Sequence, residues 1–501
     1  MKAPTRSRDL LDLVLDPGSF RSWDDAADET PRTESSYGSS LRRARERSGS
    51  DEAVRTGQGT VEGQRVALLC SEFGFLGGSI GVFAARRLVN ALRRATAERM
   101  PVLALPASGG TRMQEGTPAF LTMPAIAAAV TAHKAAGLPY LVYLRHPTTG
   151  GVLASWGSLG HLTFAEPGAL VGFLGPKVYE ALRGRPFLDG IQTAENLHRS
   201  GIVDAVVPPA RLAELLGSTL RLLTDRPPRR PRSAAPPSLD TGRSDAWQDV
   251  LATRRRTRPG AREVIHCASS EIVSLAGTSR GETADGLMIA LVRFGSVPCV
   301  VVAQDRAAQS TQPIGPGSLR AARRGFRLAA GLGLPVASII DTPGGELSPA
   351  AEEGALAGEI ADTLAELAGL TVPTVSVLLG QGTGGAALAL FPADRTLAAR
   401  RSWLSALPPE GAAAIVHRDP ARAPEVVAEQ HIRAADLLRI GAVDTLIDER
   451  PDAADEPDAF CSRAVEAIEA ELLAVLADPS QALRHQRFQR ILRMQPTALA
   501  V

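Results

Sequence analysis

The feature that most constrains this chain is that it repeats itself. The string ALRRATAERMPVLALPASGG ends at Gly110, and GFRLAAGLGLPVASIIDTPGG ends at Gly345. Each reads as a helix, a turn ending in Pro, a buried aliphatic strand and a Gly-Gly loop. Pro101 and Pro335 are 234 residues apart, and Gly109 pairs with Gly344 at an offset of 235. The next unit repeats as well: AAVTAHKAAGLPYLVYLRHPTTGG ends at Gly151 and LAELAGLTVPTVSVLLGQGTGG at Gly385, with Pro139/Pro373 and Gly150/Gly384 again 234 apart. A last pair, SGIVDAVVPP and IGAVDTLIDE, places Asp204 and Asp444 at an offset of 240. Matched units in one order define two copies of one domain type. Alternating helices and short apolar strands argue for an α/β fold with largely parallel strands and crossover helices. The expected division is an irregular lead-in over 1–60, a first domain over 61–224, a Pro/Arg-rich linker over 225–245 and a second domain over 246–501. Residues 5–25 read as a short amphipathic helix, and 28–60 as loosely packed.

Composition narrows the function. The chain has 55 basic and 54 acidic residues and only 4% aromatics. Neither a phosphate-neutralising excess nor base-stacking platforms are present, so no nucleic-acid partner is expected. Cys70, Cys267, Cys299 and Cys461 have no CxxC spacing, which excludes a zinc ribbon and fits a reducing compartment. The N-terminal stretch has no long apolar core, and no apolar run reaches 18 residues. A cytoplasmic protein without a membrane span is expected. The basic RPPRRPR run within the linker reads as a solvated spacer.

A Gly-Gly loop at a strand end lets a ligand oxygen approach backbone N–H groups closely. Feeding a helix, it adds the partial positive charge of the helix N-terminus. Such a loop stabilises an oxyanion and leaves glycines, rather than catalytic side chains, as its trace. The sequence has no G-x-x-x-x-G-K-[ST] loop and no H-E-x-x-H. No metal site stands out. Two oxyanion holes, one per half, suit a reaction between two carbonyl compounds, one forming an enolate and the other gaining or losing a carboxyl group.

At these residues the chain resembles the carboxyltransferase of acetyl-CoA carboxylase, of the crotonase-like superfamily. PASGGTRMQEG (106–116), HPTTGGVLASWGSLG (146–160), AEPGALVGFLGP (165–176) and the lead-in LLDLVLDPGSF (10–20) are similar to its β subunit. IIDTPGG (339–345), AEEGALAGEIADTLAEL (351–367), LLGQGTGGAALAL (378–390) and PPEGAAAI (408–415) are similar to its α subunit, in the family's order. The resemblance implies two tandem crotonase-like (ClpP/crotonase) domains related by internal duplication, with β and α parts fused. It implies transfer of a carboxyl group from carboxybiotin, carried on a separate protein, to acetyl-CoA or another short acyl-CoA, feeding fatty-acid or polyketide synthesis. By position, Gly109 and Gly110 would hold the thioester oxyanion, and Gly344 and Gly345 the biotin ureido oxygen. Gly150, Gly151, Gly384 and Gly385 would shape the acyl pockets. Arg112 reads as a buttress that pairs with a neighbour of the loop, with a contact to a CoA phosphate as the alternative. A biotin carboxyl carrier protein, a biotin carboxylase and acyl-CoA would be partners, with a homodimer or larger assembly and no metal at the reacting centre. The chain departs from the family in lacking the β-subunit zinc ribbon and in carrying Thr383 at a glycine position.

The other polar residues near these motifs read as structural: Glu115 as a loop cap, Glu166 and Glu410 as turn stabilisers, His133, His161 and Cys70 as ordinary packing residues. None of Lys2, Lys134 and Lys177 sits in a Met-Lys-Met biotinylation setting. A malonyl-CoA-type decarboxylase on the same fold, a one-domain hydratase or isomerase, and a non-catalytic scaffold of an acyl-CoA carboxylase complex remain alternatives.

Overall fold

The computed structural model describes residues 4–25, 35–225, 245–477 and 483–493. Most of the expected linker (226–244) and part of the 28–60 stretch lie outside the described residues. The chain divides into two compact units, Met1–Leu223 with Ser279–Gly281, and Thr224–Thr278 with Glu282–Val501.

The strands of the first unit are β1 (Arg21–Ser22), β2 (Val54–Val61), β3 (Gln64–Ser71), β4 (Val102–Leu105), β5 (Tyr140–Leu144), β6 (Thr148–Thr149), β7 (Leu162–Ala165), β8 (Val171–Gly172) and β9 (Ala205–Val206). Seven of them form a sheet in the order β1-β2-β3-β4-β5-β7-β9, while β6 and β8 pair separately. From β3 onward the pairings are parallel; β1-β2 and β2-β3 are antiparallel. β4 and β5 are buried at every residue, as a parallel sheet covered on both faces requires. The helix Val82–Ala97 buries Ala84, Ala85, Leu88, Ala91, Leu92 and Ala95, a helical stripe that packs into the core with Val102, Ala104 and Val142.

The second unit repeats this plan with β10 (Ile272–Leu275), β11 (Leu287–Phe294), β12 (Val297–Gln304), β13 (Val336–Thr342), β14 (Thr374–Thr383), β15 (Arg395–Ala399), β16 (Trp403–Ser405) and β17 (Thr445–Ile447). The order is β10-β11-β12-β13-β14-β15-β17, with β16 on the end of β14. The antiparallel pairs are again the first two, and the rest are parallel. The crossover helices Pro316–Leu332 and Leu356–Ala368 are joined by an ion-pair ladder in which Arg320 and Arg323 meet Glu359, Arg323 meets Asp362, and Arg327 meets Glu366.

Two local expectations need correction. The 28–60 stretch is not loose where it is described: Ser36–Ser48 is a helix, and Val54–Val61 pairs along its whole length with β3. The sheet therefore begins inside the expected lead-in, and a boundary at residue 60 would cut its hairpin. The turn that makes this hairpin is Glu62-Gly63, both at positive φ (47° and 79°), the geometry a two-residue hairpin needs. The lead-in helix is confined to Ser7–Val14, where Leu10, Leu11 and Val14 are buried. Asp16 and Pro17 follow it, and the chain becomes extended.

The repeated aspartates have a shared structural cause. The Asp204 carboxylate accepts the Thr163 N–H (2.8 Å), and the Thr163 carbonyl accepts the Asp204 N–H (2.7 Å). Asp444 does the same with Thr396 (2.7 and 2.8 Å). Each clips the chain entering the last strand to the strand beside it. Asp204→Ala is expected to cost about 1.5–3 kcal/mol, the range for a hydrogen bond to a charged group, as read by urea unfolding of the full chain.

Candidate active site

The strand-end loops of the two units superpose in sequence at a constant offset of 234. Gly110 and Gly344 both have positive φ (113° and 137°), as do Gly150 and Gly384 (63° and 66°). The Gly110 N–H donates to Ser108 Oγ (3.0 Å), and the Gly344 N–H to Thr342 Oγ1 (3.1 Å). Ile80 bridges Thr111, and Ile314 bridges Gly345, in the same parallel sense. Gly344 therefore corresponds to Gly110 rather than to Gly109. The counterpart of Gly109 is Pro343, and the counterpart of Gly345 is Thr111.

Within each unit the expected glycine motifs come together. A Cβ on Gly110 would lie 3.4 Å from Gly150 Cα, and one on Gly150 would lie 3.2 Å from Gly110 Cα and 3.3 Å from the Gly109 carbonyl. In the second unit a Cβ on Gly345 would lie 3.8 Å from Ala386 Cβ. Gly150 and Gly384 open the short helices Gly150–Leu153 and Gly384–Leu388. The other two loops do not feed helices directly. Residues Met113–Glu115 form a 3-10 turn first, and the next helix after Gly345 starts at Pro349.

The donor roles expected of individual glycines change accordingly. The Gly109 N–H is already engaged by the Gly77 carbonyl (2.9 Å), and the Gly150 N–H by the Phe173 carbonyl (2.8 Å). Gly110 and Gly344 donate to the hydroxyls named above. The Thr111 and Gly345 N–H groups donate to nothing among the described residues. Of the expected oxyanion glycines, then, Gly345 alone presents an open donor, and Thr111, which sequence reasoning passed over, is its counterpart in the first unit. Thr111 was legible only through the 234 offset, applied one residue further along. The first-turn N–H groups of the helices at Gly150 and Gly384 have no intrahelical acceptor, which places further donors, including those of Gly151 and Gly385, beside each loop.

Arg112 takes the buttressing place rather than that of a CoA contact. It is 1% exposed, and its guanidinium meets both Glu52 carboxylate oxygens, Glu115 (3.2 Å), the Tyr37 hydroxyl (3.3 Å) and the Ser79 carbonyl (2.8 Å). Burial works to lower its pKa, but the Glu52 hydrogen bonds outweigh this and hold it above the ordinary arginine value. Burial and the bond to Glu115 push the Tyr37 hydroxyl up to about 12. Glu115 caps the helix Val82–Ala97 through the Val82 N–H (2.6 Å). Glu166 accepts the His146 N–H (3.0 Å), and Glu410 is held by both arms of the Arg254 guanidinium (2.6 and 3.0 Å). His133 bridges Thr96 and the Pro139 carbonyl, and burial lowers its pKa. His161 accepts the Tyr140 N–H, and burial depresses it to about 3. Cys70 is buried, its thiol pushed up to about 11 by desolvation. All of these side chains have structural work. Among the described residues, no group of three or more His, Cys, Asp or Glu is placed to hold a metal ion, and no helix is long and apolar enough to cross a membrane.

Each unit thus carries, at the carboxyl ends of its parallel strands, a loop of one backbone design that leaves one N–H donor open. Residues 5–485 match the carboxyl transferase domain. The chain belongs to the carboxyl transferase family. It is a carboxyltransferase enzyme. It is 56% identical over 489 residues to the probable biotin-dependent acyl-coenzyme A carboxylase beta3 subunit of Mycobacterium tuberculosis, covering 96% of this chain and 97% of that protein. It is 35% identical over 517 residues to the acetyl-coenzyme A carboxylase carboxyl transferase subunits beta/alpha of Salinispora tropica, covering 98% and 90%. In fold it is similar to a transcarboxylase 12S subunit solved in a hexamer with methylmalonyl-coenzyme A bound, with a TM-score of 0.72, 23% identity, and 93% and 90% of the two chains covered.

Proposed function

We propose that the chain is the carboxyltransferase component of a biotin-dependent acyl-CoA carboxylase. It would move a carboxyl group between carboxybiotin, delivered on a separate carrier protein, and a short acyl-CoA such as acetyl-CoA. The observation that carries this reading is the duplicated open donor: the Thr111 and Gly345 N–H groups at equivalent strand ends, each beside a helix N-terminus. One hole holds the thioester oxygen as negative charge develops on it, and the other holds the oxygen of the carboxyl donor. Biotin, when bound, supplies a nitrogen from which the carboxyl group departs and which can take up a proton. The protein's part is then to place two oxygens against fixed dipoles, which fits the engagement of Arg112, Glu115, Glu166, Glu410, His133 and His161 elsewhere. The relatives' printed names support the acyl-CoA and biotin parts of the reading, and the fused β/α organisation follows the name of the Salinispora tropica relative.

The two units are crotonase-like in this reading, and the assembly is a homo-oligomer of two or more chains. Its support is that exposed apolar side chains lie beside the loops: Met113 (80%) and Phe173 in the first unit, Leu347 (99%) in the second. Apolar surface of this kind at a functional mouth marks a contact surface. A biotin carboxylase and a biotin carrier would complete the complex in the cytoplasm.

The test is to supply purified full-length protein with malonyl-CoA, with and without biocytin, and to follow acetyl-CoA. Release of acetyl-CoA that depends on biocytin is the expected outcome, being the transfer run backwards. Equal release in both tubes would replace this reading with a direct decarboxylase. A protein that neither turns over nor binds malonyl-CoA, methylmalonyl-CoA or longer acyl-CoAs would leave the scaffold reading in its place.

A further inference from the structure

The two loop systems share a backbone but differ in one side-chain hydroxyl. Thr149 and Thr383 occupy equivalent positions, each immediately before the glycine that opens a short helix. Thr149 is engaged: its Oγ1 donates to the Ser108 carbonyl (3.3 Å). Thr383 is not. Its residue is 2% exposed, yet Oγ1 has no hydrogen-bond partner. A buried hydroxyl without a partner destabilises the fold, and valine has nearly the same shape without that penalty. Nothing in the packing therefore calls for the oxygen.

Its surroundings indicate what would. The nearest atom to a Cβ built on Gly344 is the Thr383 methyl carbon, at 3.8 Å. The side chain is thus packed against the strand-end loop that carries the open Gly345 N–H. In the first unit the same space is closed by backbone, with Gly110 and Gly150 in direct contact. The other buried side-chain oxygen left without a hydrogen bond in this part of the second unit, Asp341 Oδ2, already faces the Arg306 guanidinium at 3.5 Å. Among the buried side-chain oxygens described around the second loop, Thr383 Oγ1 is thus the one with neither a hydrogen bond nor an ion pair.

We propose that Thr383 is a substrate-contacting residue of the second unit, its hydroxyl donating a hydrogen bond to the urea-type carbonyl oxygen of the carboxyl donor seated at the Gly345 N–H. The assignment rests on the carboxyltransferase reading above and adds a side chain to a site otherwise built from backbone. It also makes the two halves unequal: the first unit holds its ligand oxygen through main chain alone, and the second through main chain and one hydroxyl.

The experiment compares wild type, Thr383→Val and Thr383→Ser in three measurements: biocytin-dependent turnover of malonyl-CoA, biocytin binding by calorimetry, and the thermal midpoint. Thr383→Val is expected to lose about 10- to 100-fold in kcat/KM for biocytin, the effect of one hydrogen bond to an oxygen that gains charge, and to bind biocytin more weakly. Its thermal midpoint should be unchanged or higher, because no intramolecular bond is lost. Thr383→Ser should recover activity to within about threefold, since it keeps the hydroxyl. Equal biocytin affinity in wild type and Thr383→Val overturns the assignment, as does a parallel fall of activity and thermal midpoint, which would make Thr383 structural. Equal turnover of malonyl-CoA with and without biocytin overturns the carboxyltransferase reading instead, and the binding comparison then decides Thr383 separately. Wild-type protein that does not bind biocytin overturns the assignment outright.

Discussion

Glu52→Gln is expected to destabilise the protein by about 3–5 kcal/mol and to abolish most of its activity, although Glu52 lies 58 residues from Gly110 in sequence. The reason is the burial of its partner. Arg112 is almost fully inaccessible, and Glu52 itself is 4% exposed. Both terminal guanidinium nitrogens of Arg112 reach the Glu52 carboxylate. Glutamine keeps the shape but removes the charge, so a buried cation is left with Glu115 alone. The loss of activity follows from position. Arg112 donates its own N–H to the Ile80 carbonyl (2.9 Å), and Ile80 in turn donates to the Gly110 carbonyl (2.9 Å). The open Thr111 N–H sits between these two bonds, so releasing Arg112 lets the proposed donor move. Arg112→Lys should fail for a related reason, because an ammonium group cannot meet two carboxylate oxygens and a carbonyl with a planar fork. Urea unfolding and single-turnover rates check both effects. A Glu52→Gln protein with native stability and full turnover would remove Arg112 from its buttress role.

What could be read from the sequence and what could not divide along the line between local and distant contacts. The duplication was legible because the same local demands recur in each copy. A positive φ at Gly110 and Gly344 needs glycine, and a clip at the last strand needs Asp204 and Asp444. The hairpin strand Val54–Val61 was illegible because its residues answer to a distant neighbour. A Cβ on Gly57 would lie 2.5 Å from the Arg21 carbonyl, and one on Gly59 would lie 2.9 Å from a Leu15 methyl. The glycines that admit the lead-in segment also erase the alternation by which a strand is recognised. The site shows the same division. That the Gly-Gly loops would cluster at strand ends followed from their place after apolar strands. That the Gly109 donor is occupied depends on Gly77, and while Arg112 could be read as a buttress, its main partner Glu52 could not, because neither partner is near in sequence. The family resemblance named donors by motif, whereas the hydrogen bonds leave the N–H of Thr111, beyond Gly109 and Gly110, as the open one in the first unit.

Gly150→Ala is expected to lower kcat by about 10²–10³ while leaving the fold largely intact, the range seen when one oxyanion donor is removed. Two penalties meet at this position. Gly150 has φ of 63°, which an L side chain adopts only with strain. The added methyl would also press on Gly110 Cα at 3.2 Å and the Gly109 carbonyl at 3.3 Å, both backbone atoms that cannot rotate away. The two loops must separate, and with them the Thr111 N–H and the first-turn donors of the helix that Gly150 opens. Gly116→Ala isolates the first penalty: its φ is 60°, and a Cβ there meets nothing within 4 Å. With ψ at −142° it lies outside the left-handed helical region, and alanine there should lose about 1–3 kcal/mol of stability through strain alone and keep nearly all of its turnover. Gly344→Ala is the matching probe in the second unit, where φ is 137° but the nearest atom, the Thr383 methyl, is 3.8 Å away and can give. Its effect should therefore fall between the other two. If catalysis depends on the distance between paired loops, the order of lost turnover is Gly150→Ala, then Gly344→Ala, then Gly116→Ala, measured beside the urea midpoint of each variant. Equal losses at Gly150 and Gly116, tracking stability, would mean that strain, and not the separation of the loops, governs the rate.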